Sequence, residues 1–313
     1  MLVSGLNKYY STPFKDEKEI EQVVVDYAQY LFGSSIIFLP KSKISTIDGS
    51  STIPDGFVID IEREEWFLVE AELASHGTWQ HIAPQVSKQI VAIDSKTTRD
   101  KILKICLEII KRDKATANVF AELNIPQIEI HGKLLAILSK PPTIAIPIDN
   151  VPADLESWIN TVKFQVKIWR IEKFQSQDGQ TTYYSIPDEN IPTITTLLSK
   201  GRSVSTVVNK LSQPYQDMFE SGYITDGQKV LHEYGPRGKP KITLYGILRR
   251  GGVEVDGKVM SLSAAAVYCM HQSGSNRETA NGWIHWKTED GIYLADLYDK
   301  MNLEKINTLE TKE

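Results

Sequence analysis

The chain of 313 residues carries 35 Lys and Arg against 40 Asp and Glu, a formal net charge of -5. That length makes two domains, each with its own core, the default, and the acidic balance argues against indiscriminate nucleic-acid binding. Two distant cysteines in apolar helical patterns, Cys106 and Cys269, give no disulfide framework. With no apolar run of spanning length and no basic-then-apolar leader, a soluble cytoplasmic protein with reduced thiols is expected.

The spacing predicts a first helix over 16–32, its apolar stripe running through Ile20, Val23, Val24, Tyr27, Leu31 and Phe32 before Gly33 stops it. Glu21 falls near the inner face, whereas Glu17 and Glu19 fall on the solvent side. Ile36–Leu39 reads as a strand and 40–53 as a polar loop. Two apolar runs, Phe57–Ile61 and Trp66–Val69, flank the charged Glu62–Glu65 and predict a β-hairpin. Asp55 opens the first strand, and Glu70 and Glu72, two apart on the second, share one sheet face. Three carboxylates meeting at one point repel unless a cation binds, and hard oxygen ligands suit Mg²⁺, with Mn²⁺ as a substitute. The plainer alternative is a solvated edge, since residues 55–72 hold seven acids and one arginine.

Pro54-Asp55, then Glu70-x-Glu72 on an apolar strand, resembles the PD-(D/E)xK nuclease superfamily, with Glu72 where Lys is usual. The resemblance implies a restriction-endonuclease-like mixed sheet flanked by helices, and metal held by Asp55, Glu70, Glu72 and Glu21. It also implies a residue that orients the attacking water, for which Lys88 on the following helix is the candidate. That helix is expected to begin near Ala83. Gln85 and Gln89 share a face one turn apart and look like a variant of the Gln-x-x-x-Tyr pair of some nuclease branches. His76 and His81 lie five apart across a turn shortly before Pro84, a spacing that does not suggest zinc, although His81 remains a candidate base or DNA contact.

Further on, 95–124 reads as one amphipathic helix, 128–138 as helix or strand, Thr143–Ile148 as a strand, Asp154–Val162 as a helix, and Phe164–Phe174 as a strand. Asp178-Gly179 closes a hairpin. This completes an α/β domain over 1–186, followed by a linker over 187–203 that contains Pro187 and Pro192. From 204 the pattern is a helix, short strands with turns at Asp226-Gly227, Gly251-Gly252 and Asp256-Gly257, a helix over Ser263–His271, then a turn, a strand and a closing helix. A small α+β domain over 204–313 is expected. Residues 229–258 hold seven basic and three acidic residues, an excess able to follow a phosphate backbone or simply to be solvated.

Ser261–Tyr268, NGWIHWK and DGIYLADL resemble the RAMA domain, a module attached to restriction endonucleases and DNA methyltransferases. The resemblance implies recognition of double-stranded DNA, in some cases with modified bases. Trp283, Trp286 or Tyr268 would stack on a base while Asn281, Ser263, Arg249 or Arg250 read its edge; core roles suit the same aromatics. Together the two halves imply a metal-dependent DNA endonuclease, modification-dependent (type IV-like), catalytic through Asp55, Glu70, Glu72, Gln85 and Lys88, and paired as a homodimer to cut both strands. The alternatives are a modified-DNA reader on an inactive scaffold, and a sequence-specific or repair nuclease.

Overall fold

The computed structural model of the chain describes residues 1–4, 7–46, 49–123, 125–186, 205–208, 213–236 and 240–310. It is a mixed α/β protein with several sheets. By packing it divides into two compact units, residues 1–28, 35–186 and 205–208 in one, 29–34 and 213–310 in the other. The expected linker, 187–203, lies outside the described residues. Among the described residues no helix is long and apolar enough to cross a membrane.

The first unit runs β1 (Leu2–Ser4), β2 (Asn7–Ser11), α1 (Glu17–Asp26), β3 (Ile36–Pro40), β4 (Ile44–Ser45), β5 (Ser51–Thr52), β6 (Gly56–Asp60) and β7 (Glu65–Val69); the short α2 (Ala28–Phe32), between α1 and β3 in the chain, belongs from Gln29 on to the second unit. Then come α3 (Ala83–Ile93), α4 (Lys96–Arg112), α5 (Lys114–Glu122), α6 (Ile130–Leu138), β8 (Thr143–Ile148), α7 (Ala153–Ile159), β9 (Val166–Arg170), β10 (Glu172–Ser176), β11 (Thr182–Ser185) and β12 (Ser205–Val208). The main sheet has the order β12-β9-β8-β7-β6-β3. β3, β6 and β7 pair antiparallel, whereas β7, β8, β9 and β12 run parallel. All the residues of β6 and β8 are buried, as strands covered on both faces must be. One face carries Phe57, Ile59, Trp66, Leu68, Ile144, Ile146 and Ile168 into a core shared with Val86, Ile93, Ile102 and Leu134 of the helices.

Several breaks fall inside segments whose periodicity predicts single elements. The first helix, capped by the Asp16 side chain on the Glu19 N–H, ends at Tyr27. The 95–124 helix divides at Asp113, whose carboxylate accepts from the N–H groups of Ala115 and Thr116 and starts a new helix. The 164–174 strand divides at Ile171, so β9 lies in the main sheet and β10 in a small one with the order β1-β2-β10-β11. Ser205–Val208, expected as the start of a helix, is instead a strand beside β9.

The second unit contains α8 (Gln213–Glu220), β13 (Lys229–Tyr234), β14 (Ile242–Arg249), β15 (Gly252–Val255), β16 (Lys258–Met260), α9 (Leu262–Gln272), β17 (Trp286–Thr288) and α10 (Leu294–Glu310). Its sheet has the order β16-β15-β14-β13-β17. Asp256 and Gly257 both have positive φ, 50° and 73°, the conformation a tight two-residue hairpin requires. Ser261 caps α9 through the Ala264 N–H.

Trp66 is the sharpest test of the first core. It is fully buried, its indole N–H donates to the Lys140 carbonyl at 2.8 Å, and its ring centroid lies 6.4 Å from that of Phe57. Trp66→Ala is expected to lower the stability of this unit by about 3–5 kcal/mol, the usual cost of a large cavity plus a lost hydrogen bond. Urea unfolding followed by circular dichroism measures it.

Candidate functional site

The antiparallel register Gly56↔Val69, extended by one residue, sets Asp55 directly across from Glu70, on the same face of the hairpin. The pairing is held beyond the strand ends, because Asp55 Oδ2 accepts from the Ala71 N–H at 2.9 Å. The chain after β7 continues along β8: the N–H groups of Glu70 and Glu72 donate to the carbonyls of Ala145 and Pro147, both at 2.9 Å. Those bonds fix the backbone so that both acids enter the protein, and each is only 1% exposed. One oxygen of Glu70 accepts from Gln89 Nε2 at 2.7 Å. Neither oxygen of Glu72 has a hydrogen-bond donor among the described residues.

Glu21 joins from α1 by way of a cation. Lys41 Nζ lies 2.6 Å from Glu21 and 2.8 Å from Asp55, and this double contact raises its pKa further above the ordinary lysine value despite the opposing effect of burial. Lys41, Glu21, Asp55, Lys18, Gln22 and Ala71 help line a cleft of about 730 Å³. Lys88, the lysine expected here, is exposed on α3 and forms no hydrogen bond or ion pair among the described residues. The lysine that meets the acids is Lys41, reached from the loop after β3. Gln85 is half-buried; the glutamine that meets an acid is Gln89, one turn on.

The electrostatics follow from burial. Burial and then the charge of Asp55 push the pKa of Glu70 well above the ordinary range, with Glu72 adding to the shift and the Gln89 bond opposing it. Glu72 is pushed up to about 8 by burial first, then by Glu17, Asp55 and Glu21. Asp55 is raised by burial and by Glu21, with Lys41 and the Ala71 N–H pulling the other way. These acids are close enough to resist ionising together, which is the property of a cation site.

Glu17, expected to face solvent, turns inward. Its carboxylate contacts His76 Nδ1 and lies 3.6 Å from His81 Nε2. The His76 and His81 rings are 5.2 Å apart between centroids. Their spacing of five matches a π turn over Thr78–Ile82, in which the Ile82 N–H reaches the Gly77 carbonyl. No residue pattern in the sequence announces that turn.

In the second unit Trp283 and Trp286 are fully buried, with the Trp286 indole N–H donating to the Leu262 carbonyl at 2.9 Å. Neither ring presents a face to a base in this conformation. Ser263 and Asn281 are also buried and satisfy the backbone of Gly282 and Trp283. Arg249 is engaged by Glu254 and Asp226, and the Tyr268 hydroxyl donates to Asp256. Arg250 is exposed, over the Phe219 ring at 5.7 Å. Tyr245, 66% exposed on β14, is an open aromatic that the sequence reading did not select. Cys106 and Cys269 are buried and unbridged.

No family model, curated protein or solved structure matches this sequence.

The raised pKa of Glu72 has a sign that can be checked. The folded chain favours the protonated carboxyl, so its stabilising contribution is complete below the ordinary value of 4.5 and is lost as pH rises through about 8. Thermal melts in chelator are expected to fall across that window, Glu72→Gln to flatten the fall, and added divalent cation to recover stability most at the alkaline end.

Proposed function

We propose that this chain is a metal-dependent DNA endonuclease whose first unit cuts and whose second unit selects the target, with modified DNA as the preferred substrate. The observation that carries the cutting half is the pair of buried glutamates, Glu70 and Glu72, opposite Asp55 and with donorless oxygens. Buried anions that the protein itself leaves unsatisfied fit a divalent cation. Asp55, Glu70 and Glu72 would hold Mg²⁺ or Mn²⁺, with Glu21 beside them. When bound, such an ion supplies a water of lowered pKa and a Lewis acid for a phosphoryl oxygen.

The chain's own residues have separate tasks in this reading. Gln89 holds Glu70 in one orientation through its amide. Lys41 brings an ammonium to the cleft, where it offsets the acids and can orient an attacking water, the task that the resemblance to the nuclease superfamily implies for a lysine. The cleft, lined by Lys18, Lys41 and Gln22 among others, gives a sugar-phosphate backbone cationic and amide partners next to the acids. Target choice rests on the resemblance of residues 204–313 to RAMA domains. Two cutting centres, supplied by a homodimer, serve the two strands.

The test is incubation with Mg²⁺ and DNA from hosts with and without base modification, alongside Glu70→Ala and Lys41→Ala. Cleavage confined to modified DNA is expected, with Glu70→Ala abolishing it and Lys41→Ala slowing it. Cutting of both DNAs would point to a sequence-specific or repair nuclease. Binding of modified DNA with no cleavage under any divalent ion would leave the chain a reader on an inactive scaffold.

A further inference from the structure

Glu72 and three other side chains from separate local structures meet at one point. Glu17 begins α1, Glu72 lies in the extension of β7, His76 ends a one-turn 3₁₀ helix over Ala74–His76, and His81 sits in the π turn. One ligand atom from each lies within 4.8 Å of the others. His76 Nδ1 is 3.9 Å and His81 Nε2 3.8 Å from Glu72, and His81 Nε2 is 3.6 Å from Glu17. His76 Nδ1 meets Glu17 at hydrogen-bond distance, whereas these three longer separations are beyond hydrogen bonds. They are close to the roughly 3.4 Å between neighbouring ligands on a tetrahedral ion whose bonds are ~2.1 Å.

A second observation points the same way. The side chain of Glu72 is 99% buried, at 1% exposure, faces both imidazoles, and has no donor for either oxygen among the described residues. Only Glu17 is met by an imidazole at hydrogen-bond distance, through His76; neither ring reaches Glu72 that closely, so both oxygens of this buried acid stay available to a ligand. The segment carrying them is tied down independently, since Asp149 accepts from the Ala74 N–H at 2.7 Å and Asp154 from the Thr78 hydroxyl at 3.0 Å. Between them Gly77 has φ 77°, in the left-handed region where a side chain is strained, so the turn that aligns the rings favours glycine.

We infer that Glu17, Glu72, His76 and His81 form a binding site for a first-row transition-metal ion of the Zn²⁺ or Mn²⁺ class. Two imidazoles distinguish it from a Mg²⁺ site, whose ligands are oxygens. The site shares Glu72 with the endonuclease reading but does not rest on it, because ion capture needs no DNA. Glu72 would then be the one carboxylate common to this site and the acids around Asp55.

The experiment uses the full chain without a histidine tag, stripped with chelator. Zn²⁺ is titrated calorimetrically in excess Mg²⁺, and Co²⁺ is followed by visible absorption. Binding of Zn²⁺ that Mg²⁺ does not displace is expected, with the intense bands of tetrahedral Co²⁺. His76→Ala and His81→Ala are expected to weaken Zn²⁺ by at least about 100-fold, the upper end of what loss of a supporting outer-shell residue costs, while Glu129→Gln, at an exposed acid just before α6, leaves it unchanged. His81→Cys should keep the ion and add a thiolate-to-cobalt charge-transfer band, a gain that misfolding cannot imitate. Undiminished Zn²⁺ affinity in the His76→Ala/His81→Ala double variant, or a Co²⁺ spectrum indifferent to His81→Cys, overturns the inference. DNA cleavage is not read, so the outcome is separate from that of the nuclease assay.

Discussion

Two backbone hydrogen bonds, from Glu70 to Ala145 and from Glu72 to Pro147, are the constraint on which the site depends. They prolong the parallel pairing of β7 and β8 past the hairpin and commit two acidic side chains to the interior. Hydrophobic burial of the flanking strands supplies the driving force for this, and the acids carry its electrostatic cost. Gln89 and Lys41 are placed where they moderate that cost, whereas Glu17 adds to it. The sheet is thus a rigid mount for groups that would separate in a softer structure.

The hairpin was legible because its apolar runs and charged turn have the two-residue period of a strand, and because Asp55, Glu70 and Glu72 fall at fixed offsets from them. The faces of the first helix were legible in part: Glu21 was read as inward-facing from phase, but Glu17 was read as solvent-facing because the first turn's surroundings come from residues some sixty positions away, His76 and His81. Lys41 was not found, since nothing in a polar loop distinguishes the one lysine that folds back between two acids. The π turn escaped because an i to i+5 hydrogen bond has no residue signature, and the histidine spacing that argued against a metal in an α-helix places the two rings together in this one. Asp113 and Ile171 divide elements whose apolar periodicity runs through them, one by capping a new helix and the other by passing the chain from one sheet to the next.

In the second unit the same residue types proved to be architecture. The aromatic-rich run from Asn281 to Trp286 reads equally well as a recognition surface or a core, and Trp283 and Trp286 are core. Gly246 allows it: a Cβ there would meet Val253 Cγ1 at 2.5 Å and the Trp286 ring at 3.0 Å. Basic residues that suggest a phosphate track over 229–258 are in part neutralised within the unit, Arg249 by Glu254 and Asp226.

The sheet of that unit has two faces of opposite character. On one, Gly246, Trp286 and the start of α9 fit so tightly that a Cβ at Gly282 would lie 2.2 Å from the Leu262 backbone. On the other, Thr243, Tyr245, Lys229 and Glu233 stand in solvent. Amino-acid replacement is therefore forbidden on one side of each strand and free on the next position along. A lineage can rewrite the outer surface of this module residue by residue, and so change what it touches, without ever disturbing the joint that keeps it folded.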